Sequence, residues 1–245
     1  MLREPEIVRL GGFSEETLNQ LLDRAAAIED SGTRIAFISG AFLDIGYRAQ
    51  TLIGDQERPE TFVIDLEGVD CFTYIDYVEA LRLSGSYQEF KDNLRKVRYR
   101  LGKVSFERRN HFFTDWREFN SEYVRDVTEQ VGQQRIKKVR KILNRKDDGT
   151  LYVPGIPLTE RDITYIPSDV IDAEVIRNLE TGDYAGFYSG AQGLDVSHVG
   201  IVIKKERSIY LRHASSDTNY KKVLDQDFFA YVCKKDGLIV LRPLT

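Results

Sequence analysis

A chain of 245 residues, 42% hydrophobic and 30% charged, can bury a sizeable core without staples, and its 6 prolines argue against disorder. The net charge of −4, with acids and bases interleaved, excludes the footprint of a nucleic-acid binder. Two cysteines, Cys71 and Cys233, make no disulfide framework, and no apolar run approaches the roughly 20 residues that span a bilayer.

The start, Met1 to Glu6, has no signal-peptide core. The expectation is either a cytoplasmic protein or a chain numbered after a removed leader. Ser14 is placed to cap a first helix with Leu18, Leu21, Leu22, Ala25 and Ile28 on one face and Gly32 at its end. A second helix is expected from Thr33, with Ile35, Ile38 and Phe42 inward. Thr61 to Leu66 is rich in strand formers. It leads into Asp70-Cys71-Phe72-Thr73, where Phe72, Ile75, Val78 and Leu81 fall on one helical face. Asp70 is a good N-cap, so the helix is expected to begin at Cys71 or one residue either side. A thiol at that position sits in the positive end of the helix dipole, which favours thiolate.

After Gly85, the residues Phe90, Leu94, Val97 and Leu101 predict another amphipathic helix. Its basic residues, Lys91, Arg95, Lys96, Arg98 and Arg100, read as a solvated face. Residues 105–121 crowd Phe106, His111, Phe112, Phe113, Trp116 and Phe119 among charges. Such a segment suits either a groove for a sugar or peptide, or a loop folded onto its own core. Ile136 to Leu143 reads as a strand with alternating basic residues, and Lys146 to Gly149 as a turn.

Beyond Pro167 the pattern changes. A short helix is predicted over 168–179, then strands at 184–189, 197–204 and 208–213. A helix over 223–234 would carry Leu224, Phe228, Tyr231 and Cys233 inward, and 237–242 would close a sheet. No internal repeat or linker is visible. The fold class is α+β: helices from the first half packed on an antiparallel sheet from the second, in a single domain.

The three histidines are His111, His198 and His213. A hairpin turning at Lys205 and Glu206 would set His198 opposite His213, with Cβ atoms about 5 Å apart. A register slip of two residues would keep them on one face; a slip of one would separate them. Paired imidazoles and a cysteine at a helix start suit nucleophilic attack by sulfur. Cys71 would be the nucleophile and His198 the base that later protonates the leaving amine. His213 would orient His198. The Cys71 amide would stabilise the oxyanion, and the Tyr47 hydroxyl is a candidate second donor. Two histidines and a cysteine could also hold zinc, but no Cys-x-x-Cys or His-Glu-x-x-His spacing supports a metal, and no cofactor is expected.

At these residues the chain resembles the NlpC/p-sixty superfamily of papain-like cell-wall hydrolases. The resemblance rests on Asp70-Cys71, Ser197-His198-Val199-Gly200-Ile201 and His213-Ala214-Ser215, in that order. The stretches Arg34 to Tyr47, His111 to Thr114, Tyr165 to Pro167 and Gly193 to His198 resemble one branch of it, the domain-of-unknown-function family numbered fourteen-sixty. The resemblance covers about Arg34 to Pro243, leaving residues 1–33 as a helical extension. It implies a papain-like core and an N-acetylmuramoyl-L-alanine amidase acting on (anhydro)muramyl peptides from wall turnover. An envelope or periplasmic location would follow, with the cytoplasm as alternative. The wider superfamily implies cleavage between D-glutamate and diaminopimelate instead. Acyl transfer, or a non-catalytic module that binds wall fragments, are further alternatives. Asp70, His111, Trp116 and Ser197, with Tyr47, are the expected substrate contacts. The oligomeric state is not legible.

Overall fold

The computed structural model describes residues 5–206 and 208–244. The reading made on residues 1–4 lies outside the described residues. The chain divides into two compact units, Met1–Asn110 with His213–Leu224, and His111–Arg212 with Asp225–Thr245. Among the described residues, no helix is long and apolar enough to cross a membrane.

The first unit contains β1 (Glu6–Arg9), α1 (Glu15–Ala26), α2 (Ser31–Gly40), β2 (Gly46–Tyr47), β3 (Phe62–Asp65), β4 (Gly68–Val69), α3 (Cys71–Arg82) and α4 (Tyr87–Arg98). Ser14 and Thr17 form a reciprocal capping box that starts α1, whose Leu18, Leu22 and Ala25 are buried. The helix stops at Ala26 rather than at Gly32. The Asp30 carboxylate accepts the Thr33 amide at 2.7 Å and opens α2 at Ser31, so two helices occupy the span. Ile35, Ile38 and Phe42 are buried as their spacing predicts, and the Phe42 ring meets Tyr74 of α3 edge-on at 5.6 Å. The helix α1 packs on α2, α3 and α4. The strand β1, unexpected from sequence, pairs in parallel with β3.

The basic face of α4 is not uniformly solvated. Arg98 is buried; its Nε donates to Asp76 Oδ2 of α3 at 2.8 Å and its Nη1 to the Val63 carbonyl at 2.6 Å. Arg95 lies 3.9 Å over the Phe62 ring. Conversely, Leu101 is exposed, because the helix ends at Arg98 and Leu101 adopts φ 56°.

The second unit holds α5 (Phe113–Phe119), β5 (Val124–Asp126), α6 (Thr128–Gly132), β6 (Lys137–Leu143), β7 (Thr159–Pro167), α7 (Ala173–Asn178), β8 (Tyr184–Tyr188), β9 (Val196–Lys205), β10 (Ser208–Ala214), β11 (Val223–Asp227), α8 (Phe228–Val232) and β12 (Gly237–Pro243). The last two residues of β10 and the first two of β11 belong to the first unit. The sheet runs β11-β10-β9-β8-β12-β7-β6, with β5 added to β12, and its recorded pairings are antiparallel. Its core includes Val131, Ile166, Val175, Phe187, Val202, Leu211, Phe228 and Val240.

The structure adds one strand to the predicted elements and divides two predicted helices. Strand β7 is not evident from the sequence; its first half, Thr159 to Asp162, is polar and pairs with Leu143, Ile142, Lys141 and Arg140 of β6. The helix over 168–179 is a single turn at Ser168–Val170 followed by α7, because Asp172 caps a new start by accepting the Glu174 and Val175 amides. The helix over 223–234 is instead β11 followed by the short α8. The Asp227 carboxylate accepts the Ala230 amide at 2.7 Å and starts that helix at Phe228. Phe228 is buried as expected, but Cys233 is exposed, since it follows the last helical residue and leaves the core.

Candidate active site

Four predicted site residues, Tyr47, Asp70, Cys71 and His213, lie in the first unit. Asp70 is extended (φ −93°, ψ 179°), and its Oδ1 accepts the amides of Phe72 at 3.0 Å and Thr73 at 2.7 Å. Thr73 Oγ1 in turn accepts the Asp70 amide at 3.0 Å. This capping box fixes the first turn of α3 with Cys71 at its first position, half-buried and not in a disulfide.

Tyr47 reaches this turn through backbone pairing. Strand β2 pairs in parallel with β4, two residues ahead of the cysteine. Gly68 permits the approach: a Cβ there would lie 2.8 Å from the Arg48 Cβ. Burial, and then the negative charges of Cys71 and Asp70, push the Tyr47 hydroxyl above its ordinary range. It therefore stays protonated at neutral pH. Tyr47, Asp70 and Cys71 are thus brought together.

The segment carrying His213 is stitched to the same strand. The Tyr47 amide donates to the Lys221 carbonyl at 2.8 Å, Gly46 bridges Lys222, and the Val223 amide donates to Ile45 at 2.8 Å. His213 itself is buried, 1% exposed, near the end of β10.

His198, Ser197, His111 and Trp116 lie in the second unit. His198, half-buried on β9, pairs across the strands with Phe187, and the two rings stack at 6.2 Å. The Tyr231 ring lies 5.8 Å from the imidazole and 4.8 Å from Phe187. The β8–β9 ladder moves from Phe187↔His198 to Tyr188↔Val196, so Ser197 is the extra residue of a β-bulge. Ser197 is exposed, and its hydroxyl donates to the Phe187 carbonyl at 3.4 Å. The bulge re-aims the strand at the candidate base.

The β9–β10 register is a correction. Arg212 pairs with Ile201, two residues away from the register that sets His198 opposite His213. The closest rung is Lys205↔Ser208, so the turn centres one residue later than expected. An even shift leaves the alternation of both strands unchanged.

Trp116 is also corrected. It is fully buried, stacked on Phe113 at 6.3 Å and edge-on to Tyr184 at 5.2 Å, and offers no surface to a substrate. The buried Phe112 and Phe113 likewise favour the core reading of this stretch. His111 is half-buried just ahead of α5.

Two organising groups were missed. The buried Asp195 Oδ2 accepts the Thr114 amide at 2.7 Å and hydroxyl at 2.9 Å, tying the start of α5 to the entry of β9. Burial pushes the Asp195 carboxyl above its usual range, and these bonds oppose that. Lys141 donates to the carbonyls of Ser189, Ala191 and Leu194 and so clamps the loop before His198. Nothing in the alternating basic pattern of β6 distinguished Lys141 from its solvated neighbours. Among the described residues, no group of three His, Cys, Asp or Glu could hold a metal ion.

A search of curated proteins gives no match. Several solved structures are similar, among them the following two. A Legionella pneumophila protein of the DUF1460 family superposes with TM-score 0.80 at 21% identity, covering 94% of each chain. An N-acetylmuramoyl-L-alanine amidase from Bacteroides uniformis superposes with TM-score 0.73 at 27% identity, covering 88% of this chain and 99% of that one. The family model AmiA-like, described as N-acetylmuramoyl-L-alanine amidase-like, matches residues 37–238. That span takes in the capped cysteine turn, the bulged histidine strand and the stitched 213–224 segment, and the chain belongs to the AmiA-like family.

Proposed function

We propose that the chain is a cysteine amidase of the NlpC/p-sixty type that separates the sugar from the stem peptide of (anhydro)muramyl peptides. The observation that carries the reading is the Cys71 thiol at the capped start of α3, with β2 pairing the backbone of Tyr47 to the strand just ahead of it. A positive helix end favours the thiolate, and the phenol supplies a donor for the oxyanion.

In this reading His198 takes the Cys71 proton and the sulfur attacks the lactyl carbonyl carbon. The C–N bond breaks, the L-alanine nitrogen leaves with the proton from His198, and a thioester remains. Water, deprotonated by His198, then hydrolyses the thioester and returns the thiol. His213 orients His198. The Phe187 and Tyr231 rings around His198 support the assignment, since they limit its rotation. An envelope location belongs to the same proposal, because the substrate arises there.

The test is digestion of defined muramyl peptides with product identification by mass spectrometry. The expected products are a muramic sugar and a peptide with a free L-alanine amine, and Cys71→Ala should lower turnover at least about a thousandfold. Turnover retained by that variant overturns the cysteine mechanism. Cleavage after D-glutamate instead overturns the amidase assignment.

A further inference from the structure

We infer that Lys221 is a specificity residue that receives a carboxylate of the substrate's peptide; the assignment rests on the amidase reading above. Its backbone is the first sign. Lys221 adopts φ 48°, a left-handed conformation that a lysine rarely takes. Two bonds hold it there: its amide donates to the Asp217 carbonyl at 2.8 Å, and its carbonyl accepts the Tyr47 amide at 2.8 Å.

The loop around it is braced. Asp217 Oδ1 accepts both the Asn219 amide and its side-chain nitrogen at 2.9 Å, and the Ser215 amide donates to the Lys222 carbonyl at 2.9 Å. The outcome is a lysine whose Nζ stands 5.2 Å over the Tyr47 ring. That is the ring whose hydroxyl feels the charges of Cys71 and Asp70.

The neighbouring cations are occupied. Arg48 Nη1 contacts Asp65 at 3.1 Å and Glu67 at 3.4 Å, and Lys222 Nζ pairs with Asp44 Oδ1 at 2.6 Å. Among the described residues, Lys221 has no carboxylate partner, and it is exposed. An exposed, unpaired cation over a ring that senses the charge of the nucleophile suits an anionic substrate. Stem peptides carry carboxylates close to the scissile amide, whereas the sugar offers only hydroxyls and acetamide. The peptide side of the substrate therefore lies toward Lys221.

The test compares two muramyl dipeptides, one with a free α-carboxylate and one with the carboxamide, on wild type, Lys221→Met and Lys221→Arg. Methionine keeps the stem that covers Tyr47 and removes the charge. In the wild type, KM for the carboxamide should exceed that for the carboxylate by about fivefold or more, the worth of one charge-assisted contact. In Lys221→Met the ratio should fall to near one, with the loss in KM rather than kcat, and Lys221→Arg should restore it. A ratio unchanged in Lys221→Met, with Cys71-dependent cleavage intact, overturns the assignment alone. No Cys71-dependent cleavage of either compound by the wild type overturns the amidase reading and this assignment with it.

Discussion

At the scale of single residues, Tyr47 and His198 carry the sharpest consequences. A phenol whose ionisation is pushed upward by burial and by two negative neighbours keeps its proton through neutral and mildly alkaline pH. If it serves the oxyanion, Tyr47→Phe should lower kcat by about 10- to 1000-fold and change KM little, as measured by steady-state kinetics. His198 is tested through the thiol. Alkylation of Cys71 at neutral pH should slow in His198→Ala, read by peptide mass mapping in a Cys233→Ser background because Cys233 is exposed and also reacts. Equal rates would remove the assigned base. Cys71 and Asp70 were legible because capping is local: an aspartate, a gap of three and a threonine specify the turn. Trp116 was not, because an aromatic among charges looks the same in sequence whether it faces a groove or the Phe113 and Tyr184 rings.

At the scale of elements, the start of α3 depends on the cap and on a glycine. Asp70→Ala should cost about 1 kcal/mol of stability in urea unfolding, since the Phe72 and Thr73 amides lose their acceptor. It should also reduce turnover through fraying of the turn that carries Cys71, while Asp70→Asn should keep the cap. A Cβ at Gly68 meets backbone-anchored Arg48, so β2 would have to move away from β4 and take Tyr47 with it. The α3–α4 contact is held by a buried ion pair. Asp76→Ala would leave Arg98 uncompensated and should cost about 3–5 kcal/mol, seen as a lowered urea midpoint. The helical periodicities foretold α1 to α4 well, but Arg98 shows the limit. A basic stripe defines a surface only where no acid waits on the adjoining helix.

At the scale of the whole molecule, the second unit's sheet has an edge whose charge is tuned by pairing. Burial alone would raise the Asp225 carboxyl, but its bonds to Arg212 at 2.7 Å and Lys205 at 2.8 Å outweigh this and hold it below the usual range. A carboxyl depressed in the folded state contributes stability above its unfolded value of about 3.9, and loses it as pH falls through the lower folded value. Asp225→Asn should therefore lower the urea midpoint at pH 6 and lower it less at pH 3. An equal loss at both values would show that the pair's charge does not matter. The matched family model takes in residues of both units.

The sequence alone determined the helices of the first half, the capped cysteine, strands at 184–189, 197–204, 208–213 and 237–242 that the structure places within one or two residues of those bounds, and a family resemblance that the comparisons support as far as the AmiA-like amidases. Those features follow from interactions within a few residues of one another: periodic burial, a cap, a short turn. Only the tertiary structure decided the β9–β10 register, the split of 223–232 into strand and helix, the burial of Trp116 and Arg98, and the placement of Lys221 over Tyr47. The burial of Arg98 and the placement of Lys221 turn on partners far along the chain, and a pattern read in one window contains no trace of what lies against it.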